Sequence, residues 1–296
     1  MYAEAPDIKS AAAILIDAET GQILFEKNKD EKLYPASITK VLTIYLASLA
    51  NHDDIMTASE SAIKAVPKDT SNIAIDFGEE LTVEQGMYAA MLMSANDACN
   101  VLAEHVSGSV DEFVSQMNKT AKSFGARNSN FVNANGLFDE NHYTTAYDFA
   151  LITMNAIKNE EFLKIFSTEK YTIPYTNKKD EERNFVTQHR MMHWAQYSDL
   201  NVLGGKSGFT TESGHTLVTY GEKNGNRVIT VVLKAPDFNS VYDDTKKLLE
   251  YGYERFRKVR VTADSVEPKV DGYTTYTPLG EAEFMLDKAI AEDELI

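Results

Sequence analysis

Residues 11–16 form an unbroken apolar run, residues 17–21 carry turn chemistry ending on Gly21, and an extended pattern resumes over 22–25. Two short strands around a glycine-containing turn predict an antiparallel hairpin. Pro35 then precedes a long stretch, 37–49, whose apolar residues Val41, Leu42, Ile44, Tyr45, Leu46 and Leu49 cover most of a helix surface. A helix that is apolar nearly all round is buried, and Ser37 stands at its start, where serine is favoured as a cap. From about 52 to 161 the signals are mainly helical, with helices over 83–93, 98–106, 111–124 and 145–157. Strand patterns return late. Residues 202–210 include three glycines and lead to 216–220, and Asn224-Gly225 marks a hairpin turn before the β-branched run 228–233. Residues 239–258 read as an amphipathic helix with Val241, Leu248, Leu249 and Phe256 toward the core.

Strands at both ends and helices between them predict an α+β architecture: one antiparallel sheet built from both ends of the chain, covered by helices, with a helical lobe beside it. The boundaries that follow are a main domain at 8–258, a lobe at about 52–161, and a tail at 259–296 with too few apolar residues for its own core. Composition leaves this picture unchanged, since 43% apolar and 25% charged residues among 296 are ordinary for a soluble globular chain. Charge narrows it. A formal net charge of −16 argues against nucleic-acid binding, which needs clustered Lys and Arg. Cys99 is alone, so no intramolecular disulfide forms, and it reads as a small buried hydrophobe. No apolar run reaches membrane-spanning length, and residues 1–10 lack a basic-then-apolar export signal.

Three short motifs carry candidate chemistry. Ser37 and Lys40 are three apart, which on a helix places hydroxyl and amine on one face. A lysine within an apolar helix is costly to bury; burial favours its neutral form, and a neutral amine can take a proton from serine. Alone, the pair is far more often a capping serine and a snorkelling lysine. Ser94-Ala95-Asn96 follows an apolar helix and offers a hydroxyl and a carboxamide to one cleft, or simply caps a turn. Gly205-Lys206-Ser207-Gly208 lies in a strand, where glycines permit close approach and Lys206 and Ser207 offer a cation and a hydroxyl to a carboxylate. A phosphate loop is rejected, because Leu200 stands where its first glycine belongs and no helix follows.

In this order the three motifs match the set shared by β-lactamases and penicillin-binding proteins. From about residue 11 to 257 the chain resembles the low-molecular-mass D-alanyl-D-alanine carboxypeptidases of peptidase family S11. Tyr34-Pro35-Ala36-Ser37, residues 131–148 (FVNANGLFDENHYTTAYD) and residues 205–214 (GKSGFTTESG) carry the resemblance further. Departures are Ser207 for the usual threonine, Ser213 for alanine, and Gln188-His189-Arg190 before Trp194 in place of an Asn-rich pattern. The resemblance implies a β-lactamase/transpeptidase-like fold, a five-stranded antiparallel sheet flanked by helices with a helical lobe inserted. It implies a serine carboxypeptidase that removes the terminal D-alanine of peptidoglycan stem peptides and is acylated by β-lactams. Ser37 would be nucleophile, Lys40 general base and Ser94 proton relay. Asn96, Lys206, Ser207 and Gly208 would bind substrate, with the backbone N–H groups of Ser37 and Phe209 as oxyanion hole. No cofactor or metal is required, and the histidines show no HExxH-like spacing. It also implies an extracytoplasmic enzyme whose signal peptide is absent from this chain. Peripheral membrane contact would come through a C-terminal segment that residues 259–296 are too short to contain. Two rivals are a class A-like β-lactamase, for which Glu140 would supply the deacylating carboxylate, and a catalytically weak peptidoglycan-binding member of the same fold.

Overall fold

The computed structural model describes residues 4–261 and 282–290. The expected hairpin forms from β1 (Ala12–Asp17) and β2 (Ile23–Lys27), closed by Asp17, whose carboxylate accepts from the backbone of Glu19 and Thr20. A 3-10 turn (Ala36–Thr39) leads into α1 (Lys40–Ala47). The middle of the chain gives β3 (Ile55–Thr57), α2 (Glu60–Lys64), β4 (Glu80–Thr82), α3 (Val83–Leu92), α4 (Asn96–Ser107), α5 (Val110–Ser123), α6 (Ala146–Ala156) and α7 (Glu160–Phe166). Then follow β5 (Lys170–Ile173), β6 (Arg183–Val186), β7 (Val202–Thr210), β8 (Gly214–Lys223), β9 (Asn226–Ala235), α8 (Phe238–Arg255), β10 (Phe256–Val261) and β11 (Ala282–Asp287).

The main sheet has the order β2-β1-β9-β8-β7 and every pairing in it is antiparallel, so both ends of the chain do meet in one sheet. β1 is buried along its whole length because both sheet faces are covered. Ile14 and Ile16 enter the core shared with α1, α3, α4 and α6, whereas Ala13 and Leu15 enter the core under α8. That is the two-residue alternation of a strand serving two layers. The β8–β9 turn carries Asn224 and Gly225 with φ of 56° and 80°, the left-handed pair a tight hairpin needs.

Four expectations are corrected. Ser37 does not cap the helix: it lies inside the 3-10 turn, Pro35 and Thr39 occupy the cap positions, and neither makes a side-chain cap bond. The helix stops at Ala47, so Leu49 is 59% exposed rather than in the core. The last helix ends at Arg255, and Phe256 starts β10, whose backbone pairs with β11. The mainly helical middle also contains the β3–β4 pair, followed by the β5–β6 pair, short ladders whose few residues give too little alternation to read. Most of the tail, 262–281 and 291–296, lies outside the described residues.

Candidate active site

The turn that carries Ser37 is held in an uncommon conformation. Ala36 has φ of +51°, which L-residues rarely adopt unless their surroundings impose it. Thr216 Oγ1 on β8 donates to the carbonyl of Pro35 (2.9 Å), and the loop after α5 brings Gly136 against the Ala36 carbonyl. The turn presents Ser37 to a cleft of about 480 Å³ and directs Lys40 inward, where it is fully buried.

Lys40 Nζ lies 3.0 Å from Ser37 Oγ, 2.7 Å from Asn96 Oδ1 and 2.5 Å from the carbonyl oxygen of Asn135. A neutral amine has two N–H donors and one lone pair. The Asn96 and Asn135 oxygens are acceptors that engage both donors, leaving the lone pair for the Ser37 hydroxyl. Burial lowers the Lys40 pKa to about 8, with Cys99 and Asp97 opposing the shift. Burial also pushes Lys206 well below the usual lysine range, and the Lys40 charge adds to that.

Ser94 stands between α3 and α4 with φ of +57°, and Asn96 is the first residue of α4. Both are buried, and Ser94 faces the same cleft as Ser37. Ser94 makes no hydrogen bond to either lysine. Among the described residues, Lys206 donates only to the carbonyl of Ser207 (2.8 Å). The third motif lies on β7, the edge strand, whose approach to Ser37 depends on Gly208. A Cβ there would stand 2.5 Å from Thr216 Oγ1 and 2.8 Å from the backbone nitrogen of Ser37. Gly208→Ala is therefore expected to lower the rate of acylation at least tenfold by pushing β7 off the turn, read as the second-order rate with a fluorescent penicillin. Ser207, Gly208 and Phe209 line the cleft, and Phe209 is 58% exposed. Ser213 closes the β7–β8 turn, accepting from Thr210 N (2.8 Å) and donating to the Gly214 carbonyl (2.7 Å), which explains a hydroxyl in place of alanine.

Three neighbours of the site carried no role in the sequence, and a fourth, Arg190, stood there only as a departure from an Asn-rich pattern. Asn135 acts through its backbone carbonyl, which no side-chain pattern reveals. Thr216 acts through a distant strand. His142 is buried against Thr39. Arg190 lines the cleft with its guanidinium between the rings of Trp194 (4.3 Å) and Phe238 (4.0 Å). No carboxylate of the described residues lies within salt-bridge reach of Arg190; the available signal was its four-residue spacing to Trp194. Among the described residues no aspartate or glutamate lines the cleft, so this acidic chain carries a basic reaction site. Glu140 is exposed and outside it.

Two buried histidines tie stability to pH. Burial lowers His142 to about 4 and His189 to about 3. Their neutral forms are favoured in the fold, so their contribution is complete above the unfolded value of about 6.5 and is lost as pH falls toward the folded values. Each withdraws about 3 kcal/mol or more over that range. Urea midpoints are expected to drop steeply between pH 6.5 and 4.5; a flat profile there would contradict these environments.

The family model described as D-alanyl-D-alanine carboxypeptidase matches residues 1–237. The chain belongs to that family, peptidase S11. It is 34% identical over 260 residues to D-alanyl-D-alanine carboxypeptidase DacA of Haemophilus influenzae, covering 85% of this chain and 63% of that protein. It is 32% identical over 256 residues to DacF of Bacillus subtilis, covering 84% of this chain and 63% of that protein. The chain thus spans under two thirds of these relatives' length. Penicillin binding protein 5 from Haemophilus influenzae superposes with a TM-score of 0.83 at 30% identity, over 97% of this chain and 85% of that one. The Streptomyces K15 DD-transpeptidase superposes at 0.78 and 26% identity, over 85% and 99%. The fold is the β-lactamase/transpeptidase-like fold that the S11 motifs implied.

Proposed function

We propose that this S11 chain is a serine D-Ala-D-Ala carboxypeptidase acting on peptidoglycan stem peptides. The observation that carries the reading is the Lys40 amine, with both donors engaged and its lone pair left for Ser37. Lys40 takes the Ser37 proton as Oγ attacks the carbonyl between the two terminal D-alanines. The N–H groups of Ser37 and Phe209 receive the oxyanion, a role supported by the close seating of Gly208 on Ser37. Ser94, facing the same cleft, relays the proton taken by Lys40 to the departing D-alanine amine, which returns Lys40 to its neutral form. Asn96 orients Lys40 and holds the substrate amide. Lys206, Ser207 and the clamped Arg190 receive the terminal carboxylate, and water releases the shortened peptide from Ser37.

β-Lactams enter by the same attack. A cleft lined by no described carboxylate favours a long-lived penicilloyl-enzyme over β-lactamase turnover. The reading places the protein outside the cytoplasm, where its polymer lies; among the described residues no helix is long and apolar enough to cross a membrane. We assign residues 8–258 to the catalytic domain, with the lobe at about 52–161.

The test is D-alanine release from a diacyl tripeptide ending in D-Ala-D-Ala, beside the same peptide amidated at its C-terminus. Release from the free acid alone is expected, with KM raised about tenfold or more in Arg190→Ala through loss of a charge-assisted contact. No release from either peptide would overturn the assignment.

A further inference from the structure

His142 has no part in the mechanism above, yet both of its ring nitrogens are engaged beside the nucleophile. It is 2% exposed. The backbone N–H of Val132 reaches Nδ1 at 3.1 Å, and Thr39 Oγ1 lies 2.9 Å from Nε2. An amide N–H only donates, so Nδ1 is the bare nitrogen. The proton therefore sits on Nε2, and the ring donates to Thr39. Thr39 lies between Ser37 and Lys40 in the nucleophile turn. Val132 and His142 bracket the loop whose carbonyls at Ala134 and Asn135 accept from Thr43 (2.6 Å) and Lys40 (2.5 Å). Phe131 packs edge-on against the ring. The charged groups that face it are Asp139, on its own loop, and Lys40, on the helix opposite.

We propose that His142, fixed as the Nε2–H tautomer, is a positioning residue for acylation. It ties the nucleophile turn to the loop that supplies the Asn135 carbonyl, so that Lys40 and Ser37 keep one separation. The chain Val132 N–H to His142 to Thr39 runs in one direction and reverses at neither nitrogen. Burial keeps the ring neutral down to about pH 4, so the link holds throughout the range in which Lys40 titrates.

This inference rests on the acyl-enzyme reading for its catalytic consequence but not for its tautomer, so the two can fail separately. Imidazole ¹⁵N–¹H spectra of the whole chain are expected to show a histidine with bare Nδ1 and protonated Nε2, unchanged from pH 7.5 to 5 and lost in His142→Gln, while the signal of the other buried ring, His189 on Thr219, stays. A protonated Nδ1, or titration near pH 6.5, overturns the proposal whatever the protein's activity. In kinetics, His142→Ala and Thr39→Val are each expected to slow penicillin acylation about three- to tenfold, as loss of one hydrogen bond predicts. The double variant falls no further than the slower single one, KM for the peptide is unchanged, and His142→Gln, which keeps an N–H donor, recovers part of the loss. Multiplying losses, or a folded His142→Ala with unchanged acylation, overturns it. If His142→Ala does not fold, the spectra of the unaltered chain still decide.

Discussion

Lys40→Met is expected to leave a folded protein that acylates at least about a thousandfold more slowly, the size of effect that follows removal of a base acting as a unit with its nucleophile. The fold survives because two effects of similar size oppose each other. Methionine leaves the acceptors Asn96 Oδ1 and Asn135 O without the amine, at about 1–3 kcal/mol each. It also removes a cation that the fold holds against burial, and the fall from 10.5 to about 8 corresponds to about 3 kcal/mol at neutral pH. Lys40→Arg keeps the charge but supplies no base, so it is expected to be equally slow. In the proposed mechanism the neutral amine is the reactive form. The second-order acylation rate should rise about tenfold per pH unit below 8 and level above it. A rate independent of pH from 6 to 9 would remove Lys40 from the role of base.

Gly136→Ala is expected to be the most damaging change outside the three motifs. Gly136 has φ of +85°, and a Cβ built on it stands 2.0 Å from the Ala36 carbonyl oxygen and 3.0 Å from Thr39 Oγ1. The first obstacle is backbone, so no rotamer change relieves it. Ala36 has little freedom to yield, being itself at positive φ and tied through Pro35 to Thr216. Left-handed strain plus the displacement is expected to lower stability by about 3 kcal/mol or more. Acylation should fall further than stability alone explains, since the displaced atoms are one residue from Ser37. Urea unfolding and acylation rates on the same preparation separate the two effects. A variant with unchanged stability would mean the loop does not press on the turn.

The elements legible in the sequence were those whose burial is one-sided or total over enough residues. The two hairpins, the helices of the lobe and α8 stood out through period and turn chemistry, and β7 through its glycines. Helix ends were less legible. Leu49 looked like core because the apolar pattern continues two residues beyond the point where the chain turns out at Ala47. Phe256 was rightly read as buried but wrongly as helical, because burial does not distinguish the end of a helix from the start of a strand. At the site, Ser37, Lys40, Ser94, Asn96 and Lys206 were visible as side chains with chemistry. What fixes them was not. The Asn135 carbonyl, the missing side chain of Gly136 and the reach of Thr216 act through backbone or across 181 residues of sequence, and neither leaves a local pattern. Serine as a helix cap was the ordinary expectation for Ser37. The strained turn that replaces it is the kind of departure expected at a reactive residue.

The most direct measurement is the site of the covalent bond. Protein incubated with benzylpenicillin, digested and analysed by mass spectrometry is expected to carry the penicilloyl group on Ser37, persisting for many minutes, with none in Ser37→Ala. The adduct on any other residue, an equally labelled Ser37→Ala protein, or no adduct on the unaltered protein would contradict Ser37 as the nucleophile of this site.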